Sequence, residues 1–140
     1  MQARWINDPS PIWDLIKIKL TDSDQNIATE GLFIGVFDQE KIAGAFLIRP
    51  WTEYCYDISG GVSPEYWGRG KEVCHAVGGL VFQQTPCLKI VAIIPEFNRL
   101  MIKCAKDCGM KEEGILTSSF MKHFKMYDQY IYGITKGEYQ

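Results

Sequence analysis

Apolar and polar positions follow two different periods along the chain, and the changes of period mark the predicted elements. Residues Leu32 to Phe37 and Ile42 to Arg49 are apolar, β-branched and aromatic runs, and a polar Asp-Gln-Glu-Lys segment separates them. Two such runs joined by a short polar turn predict a β-hairpin. The run from Tyr54 to Val62 predicts a third strand of the same antiparallel group.

A helical period precedes this hairpin. From Pro9 to about Leu20 the apolar residues recur near helical spacing, with Ser10 as a candidate N-cap and Pro11 in the first turn. We therefore predict an amphipathic helix over this stretch.

The second half of the chain predicts a strand and helix alternation. Lys71 to Gln84 carries an apolar stripe at helical spacing, and Leu88 to Ile94 is short and almost wholly apolar, as is typical of a central strand buried on both faces. A further helix is expected from about Arg99 to Cys108, and it should end at Gly109, where a left-handed C-cap favours glycine.

Two last strands are predicted from Met110 to Leu116 and from Gln129 to Thr135. A polar loop that holds Lys122, His123 and Lys125 should join them. The complete order indicates an α/β (α+β) fold with one mixed sheet, formed by a single domain over residues 1–140.

Composition and charge narrow the function classes. The formal net charge of −2 and the pI near 5.7 leave no positive excess to neutralise a phosphate backbone, so no nucleic-acid partner is expected. No apolar run approaches the roughly 20 residues of a membrane helix, and the N-terminus MQARWINDPS lacks the layout of a secretory signal. We expect a soluble, cytoplasmic protein with no membrane partner.

The five cysteines form an odd, scattered set without a CxxC pair. That pattern argues against both a disulfide framework and a tetrahedral zinc site. We interpret them as reduced, mostly buried thiols and predict no metal site. Cys104 and Cys108 stand one helical turn apart, but two thiols without further ligands are usually core residues.

The segment PEYWGRGKEV, Pro64 to Val73, joins the third predicted strand to the long helix. A strand that ends in glycines and leads directly into a helix presents backbone N–H groups at the positive end of the helix dipole, which suits a phosphate. Gly68 and Gly70 would let the main chain approach the anion, and Arg69 or Lys71 could add charge. Neither a P-loop nor the dinucleotide fingerprint is present, and a tight turn that uses glycines is the structural alternative.

The stretch VSPEYWGRGKEVCHAV, followed by a buried strand and then by IIPEFNRLMIKCAKDCGMKEEGIL, resembles the GNAT superfamily of acetyl-CoA-dependent N-acetyltransferases. The resemblance extends from about Leu32 to the end of the chain, with the segments in the family's order. It implies the GNAT fold, in which a mixed central sheet has antiparallel N-terminal strands and a βαβα C-terminal half. It also implies transfer of an acetyl group from the cosubstrate acetyl-CoA to an amine or a protein N-terminus.

The same resemblance implies the residues that bind coenzyme A. Val62 matches the strand-end residue whose amide faces the thioester carbonyl, and Asn98 matches the asparagine that follows the splayed fifth strand. The pyrophosphate loop and its flanks comprise Trp67, Gly68, Arg69, Gly70, Lys71, Glu72 and Val73.

Two positions depart from the family pattern and bear on activity. Glu72 stands where the family has Gly or Ala; facing the pyrophosphate its carboxylate would repel the anion, whereas turned outward it would be an ordinary first-turn acid. Ala105 occupies the place where many members carry a tyrosine that protonates the leaving thiolate.

The chemistry also requires a base. Transfer to an amine needs a deprotonated nitrogen, aligned reactants and a backbone donor for the developing oxyanion. Asp57 and Tyr56, on the strand that enters the loop, are the candidate catalytic residues, and Ser63 could position a water. The structural alternatives are a solvated strand residue for Asp57 and a core or rim aromatic for Tyr56.

An alternative function comes from a second similarity. The segments Arg4 to Pro9 (RWINDP) and Asp128 to Tyr139 are similar to the ends of small GNAT-like proteins encoded among the head-assembly and virion genes of tailed bacteriophages. That similarity implies a catalytically silent assembly protein in the host cytoplasm or the virion, with a phage or host protein as its partner. The interface would use the aromatic residues around the predicted cleft mouth, which are Trp51, Tyr54, Tyr56, Tyr66 and Trp67. Either function is compatible with a homo-oligomer.

Overall fold

Seven strands form one mixed sheet in the computed structural model, which describes residues 1–10 and 31–139. The strands are β1 (Gln2–Ile6), β2 (Leu32–Asp38), β3 (Lys41–Pro50), β4 (Cys55–Val62), β5 (Lys89–Pro95), β6 (Lys111–Lys122) and β7 (Lys125–Thr135). The helices are a 3-10 helix (Pro64–Arg69), α1 (Gly70–Gln84) and α2 (Arg99–Asp107). The strand order β1-β2-β3-β4-β5-β7-β6 confirms the predicted mixed α/β fold class.

The helix predicted from Pro9 to Leu20 lies outside the described residues from Pro11 onward. At the last residues before this gap, the Asp8 carboxylate accepts hydrogen bonds from the backbone N–H and the hydroxyl of Ser10. Neither α1 nor α2 has the length and apolar content that crossing a bilayer requires.

The predicted hairpin and third strand are confirmed. β2 and β3 pair antiparallel up to Asp38 and Lys41, so that the turn consists of Gln39 and Glu40. Gln39 has a φ of 58°, which a two-residue hairpin turn requires. β4 then pairs antiparallel with β3, from Tyr56 to Val62 against Gly44 to Pro50.

One strand was not predicted. β1 pairs antiparallel with β2 and extends the sheet at its edge. Its residues Ala3 and Trp5 pack against the core, and the indole Nε1 of Trp5 donates to Oε1 of Gln84 at the end of α1, at 2.9 Å. Five residues with one short alternation carry a weak signal, which the pairing partner strengthens only in the folded chain.

β4 and β5 form the predicted βαβ unit with α1, but the two strands separate after a short parallel contact. They pair only from Cys55 to Asp57, against Lys89 to Val91. Beyond Asp57 the two strands diverge, while β5 remains paired antiparallel with β7 along its other edge from Lys89 to Pro95. The sheet therefore opens into a cleft between the C-terminal halves of β4 and β5.

Both helices cover the same face of the sheet. The core that α1 buries includes Phe46 and Ile48 of β3 and Ile90 of β5, while α2 packs on Ala92 and Ile94 of β5. These side chains share one face because successive residues of a strand alternate between faces. α2 ends as predicted: Gly109 has a φ of 91° and its N–H donates to the Lys106 carbonyl at 3.0 Å.

The last hairpin is longer than predicted. The stretch assigned to a polar loop belongs to β6 and β7, which are joined by His123 and Phe124 alone. Both turn residues have positive φ angles, 51° and 60°, in a turn that usually carries Asn-Gly. The strands remain paired across two irregularities, one of which places Ser118 at a φ of 48° with its N–H donating to Oδ1 of Asp128.

Candidate functional site

A cavity of about 340 Å³ occupies the cleft between β4 and β5. Its walls comprise Ile58, Ser59 and Gly60 of β4, Ile93, Ile94 and Pro95 of β5, and Asn98, Met101 and Ala105 of α2 with its N-cap. The separation of the two strands exposes their backbone edges at this point, since the parallel ladder has already ended. The cavity can accept an extended group between the strands.

Gly60 shapes the β4 side of the cleft. Its φ of 137° lies where side chains are rarely tolerated, and a Cβ at this position would overlap the carbonyl oxygen of Ala45. The glycine thus lets β4 approach β3 closely at the point where β4 leaves β5.

Asp57 lines the cavity as half of a buried ion pair. It is 4% exposed, and its Oδ2 accepts from Nη2 of Arg49 on the paired strand at 2.6 Å. Burial raises the pKa of this carboxyl, while the Arg49 charge and hydrogen bond act in the opposite direction. The alternative of a solvated strand residue is therefore wrong for Asp57, which is the only carboxylate on the walls that the described residues provide.

Tyr56 lies on the face of the sheet that α1 covers, opposite to its neighbour Asp57. It is 7% exposed and packs in the core beneath α1, and it is not part of the cavity wall. This placement corresponds to the core aromatic alternative. Of the two candidate catalytic residues, the structure brings only Asp57 to the cleft.

The glycine-containing loop is a 3-10 helix that runs without interruption from Pro64–Arg69 into α1. Neither N-cap residue, Ser63 of the 3-10 helix or Arg69 of α1, makes a capping hydrogen bond with its own side chain. A Cβ on Gly68 would meet nothing within 4 Å, so the main chain is open to close approach there. Gly70 has a different role, because a Cβ at that position would overlap the sulfur of Cys104.

Val62 and Trp67 connect the end of β4 to this loop. Val62 is fully buried, and its carbonyl accepts from Nε1 of Trp67 at 3.0 Å. The indole of Trp67 remains 49% exposed beside the loop. Val73 is also fully buried in the core, whereas Lys71 is exposed at the start of α1.

Arg69 is held by two carboxylates. Its guanidinium donates to both carboxylate oxygens of Glu72, at 2.6 and 3.2 Å, and to Oδ2 of Asp38 at 3.3 Å. The hydrogen bond from Arg69 lowers the pKa of Glu72, and the same bond raises that of Arg69. Glu72 is thus an exposed first-turn acid turned toward Arg69, and it competes with any anion for that guanidinium.

Asn98 is the N-cap of α2. Its Oδ1 accepts from the backbone N–H of Met101 at 3.3 Å, and the residue also borders the cavity. Ala105 lies on the same helix, is 7% exposed and lines the cavity with its methyl group. No hydroxyl stands at the position where the resemblance implies a tyrosine in many relatives.

The five aromatic residues expected at the cleft mouth divide into two groups. Trp51, Tyr54 and Trp67 are about half exposed, whereas Tyr56 and Tyr66 are 7% exposed. Tyr66 turns its hydroxyl to Oδ2 of Asp38 at 3.1 Å. Trp51 and Tyr54 lie in the turn before β4, whereas Trp67 follows the C-terminal end of that strand, and the described cavity wall contains none of the five residues. The expected cluster of aromatic residues around the cleft mouth is therefore wrong.

Sequence reasoning missed Arg49 and Asp38. The signal for Arg49 was available, because a charged residue at the end of an apolar strand faces Asp57 once the two strands are aligned in register. Asp38 reaches Arg69 across 31 positions of sequence, so no local pattern indicates it.

The structure is similar to solved acetyltransferases. A spermidine N-acetyltransferase from Vibrio cholerae in complex with CoA and spermine matches with a TM-score of 0.80 at 15% identity, over 99% of this chain and 96% of the other. An acetyltransferase of the GNAT family from Bacillus anthracis matches with a TM-score of 0.59 at 22% identity, over 76% and 66% of the two chains. At such low sequence identity the structural similarity establishes the fold alone. That fold is the one found in GNAT acetyltransferases.

The sequence, in contrast to the structure, has no match among known families. No protein-family model matches the chain, and no curated protein is similar to it.

Proposed function

We propose that this protein is an N-acyltransferase that moves an acetyl group from acetyl-CoA to an amine. The observation that carries the proposal is the cleft that opens between the C-terminal halves of β4 and β5, where β4 is the strand that leads into the Gly68 loop. A structurally similar enzyme binds CoA, and the described backbone follows the same fold over almost its whole length.

In this proposal the loop binds the pyrophosphate and the cleft binds the acyl end of the cosubstrate. Gly68 offers close approach of the main chain, and Lys71 and Arg69 supply positive charge at the rim. Val62 presents its backbone at the end of β4, where an amide can stabilise the oxyanion of the tetrahedral intermediate. Asn98 orients the start of α2 beside the same cavity.

The acceptor amine attacks the thioester carbonyl carbon, the C–S bond breaks, and the nitrogen loses one proton. Asp57 is the proposed acceptor of that proton, directly or through water, because it is the carboxylate on the described cavity wall and burial raises its pKa, which makes it a stronger base than an exposed aspartate. With alanine at position 105, the leaving thiolate takes its proton from solvent in this mechanism.

The cosubstrate step is tested by calorimetric titration of acetyl-CoA and CoA into the wild-type protein and two glycine variants. Gly68→Glu places a carboxylate in the open space of the loop without a clash, whereas Gly70→Glu would disturb Cys104 and confuse folding with binding. Gly137→Glu is the matched control, since a Cβ there also meets nothing within 4 Å. Gly137 is exposed and lies after β7, outside the loop.

We expect the wild type and Gly137→Glu to bind CoA equally and Gly68→Glu to lose at least an order of magnitude in affinity. Equal binding by all three variants would contradict the proposed loop. Absence of binding by the wild type at millimolar CoA would contradict the function.

A second function, a catalytically silent assembly protein of phage origin, is favoured by two observations. Carboxylates already occupy Arg69, and the exposed pair Trp51 and Tyr54, in the turn between β3 and β4, offers apolar surface to a protein partner. This function predicts that tagged wild-type protein retains a defined phage or host protein and that Trp51→Ala with Tyr54→Ala releases it. An inert monomer that binds neither CoA nor a partner would contradict both proposals.

A further inference from the structure

Three thiols from two helices meet behind the candidate CoA loop. Cys74 of α1 is hydrogen-bonded to the thiols of Cys104 on α2 and of Cys108, the C-cap that follows α2. The sequence separates the first cysteine from the other two by about 30 positions, and the packing of α1 against α2 brings them together.

The cluster supports the first turn of α1. Cys104 packs against Gly70, where the absence of a Cβ makes room for its sulfur. The Cys108 thiol donates to the carbonyl of Lys71 at 3.5 Å. Any movement of Cys104 or Cys108 therefore acts on the backbone that follows Gly68.

The three thiols differ in access and acidity. Cys104 is 4% exposed, whereas Cys74 and Cys108 are half-buried and both line the cavity. Hydrogen bonding from Cys74 lowers the pKa of Cys108, and it lowers that of Cys104 to about 7. The thiolate is the reactive form, so Cys108 combines reactivity with access from the cavity.

We propose that Cys74 and Cys108 form a reversible, peroxide-sensitive disulfide that links α1 to α2 beneath the candidate CoA loop. The Cys108 thiolate attacks hydrogen peroxide, the O–O bond breaks, and Cys108 becomes a sulfenic acid as one water leaves after protonation. The Cys74 thiol then attacks that sulfur and displaces a second water. Two thiols and one peroxide thus give one disulfide and two waters, and a dithiol reductant reverses the oxidation.

The geometry suits this bond. The Cys108 sulfur contacts the Lys71 carbonyl, about one helical turn before Cys74 on α1, so the two thiols are placed to approach the S–S distance of about 2.05 Å. The bond would withdraw the Cys108 sulfur from the Lys71 carbonyl. Its effect on CoA binding rests on the proposed function, whereas its formation does not.

The experiment treats the reduced full-length protein with hydrogen peroxide and follows intact mass and cysteine-containing peptides. We expect a loss of two hydrogens and a peptide that joins Cys74 to Cys108. Cys74→Ser should stop at a sulfenic acid on Cys108 that dimedone captures. Cys55→Ser, at a half-buried cysteine of β4 outside the cluster, is the matched control and should oxidise like the wild type.

Three results would overturn the proposal: unchanged mass of the wild type, a disulfide that still forms in Cys74→Ser, or a wild-type peptide that joins a different pair. The wild-type peptide map decides the matter even where a serine variant folds poorly. In a separate measurement, oxidation should weaken CoA binding several-fold and dithiothreitol should restore it. Equal CoA affinity in both redox states would contradict the coupling between the disulfide and the loop. A reduced protein that binds no CoA would contradict the proposed function but not the proposal that the disulfide forms.

Discussion

Arg69 and Glu72 form a two-point ion pair on the first turn of α1, with donor–acceptor distances of 2.6 and 3.2 Å. Asp38 engages the same guanidinium from the end of β2. The guanidinium of the proposed pyrophosphate loop is therefore shared between two protein carboxylates. An incoming anion must bind beside these carboxylates or displace them.

The first prediction concerns this competition. Glu72→Gln removes one carboxylate from Arg69 and should raise the affinity for CoA several-fold, with a larger gain at low ionic strength because salt screens exposed charges. Calorimetry at two salt concentrations measures the change. Glu65→Gln is the control, because Glu65 pairs with Lys41 rather than with Arg69. Equal CoA affinities of Glu72→Gln and the wild type would show that Arg69 does not contact the ligand.

Asp57 provides a pH-dependent prediction. Burial raises its pKa above the ordinary value of 3.8, so the native state keeps this proton to a higher pH than the unfolded chain. The stability contributed by the protonated carboxyl is complete below 3.8 and is lost as the pH rises through the folded-state pKa.

We therefore expect the free energy of unfolding of the wild type to fall relative to that of Asp57→Asn as the pH rises from the ordinary pKa of 3.8 through the raised pKa of the folded state. Urea denaturation of both proteins across this range measures the difference, and carboxylates common to both cancel. Parallel stability curves would mean that Asp57 has the same pKa in both states.

Gly60→Ala should destabilise the protein strongly. The new Cβ would overlap the Ala45 carbonyl oxygen in a backbone conformation that alanine disfavours, and we expect a loss of about 3 kcal/mol. Comparison of the melting temperatures of Gly60→Ala and Gly137→Ala separates the clash from the general effect of replacing a glycine, because the methyl group added at Gly137 meets nothing within 4 Å. A melting temperature like that of the control would contradict the close approach of β4 to β3.

Asn98 allows its capping role to be separated from a binding role. Asn98→Ala removes the acceptor for the Met101 N–H and should lower the free energy of unfolding by about 1 kcal/mol, whereas Asn98→Asp keeps an N-cap acceptor and the stability. Denaturation reports the cap, and CoA titration of the stable Asn98→Asp variant reports binding. If Asn98→Asp lost as much stability as Asn98→Ala, the cap assignment would fail.

The β6–β7 turn should be improved by its customary residues. His123→Asn with Phe124→Gly replaces two side chains that adopt positive φ angles, and Phe124 is 92% exposed, so little buried area is lost. We expect a gain of about 1 kcal/mol in the free energy of unfolding. The same pair of substitutions should leave CoA binding unchanged, and a drop in melting temperature would contradict the turn geometry.

Periodicity in the sequence predicted the elements whose signals are local. The hairpin of β2 and β3, the strand β4, the helices α1 and α2 and the C-cap at Gly109 all follow from spacing and turn chemistry within a few residues. The predicted polar loop before Gln129 was wrong, because polar residues on a long hairpin can remain in strands when each strand supplies the hydrogen-bond partners of the other. β1 likewise depends on its partner β2.

The sequence alone determined the order of elements and the location of the glycine-containing loop, since both depend on neighbouring residues. Only the tertiary structure decided the environment of the candidate site. Register placed Arg49 opposite Asp57, folding brought Asp38 to Arg69, and helix packing assembled Cys74 with Cys104 and Cys108. Burial, ion pairing and thiol acidity depend on atoms that are distant in the chain but close in space, so the period of a segment contains no record of them.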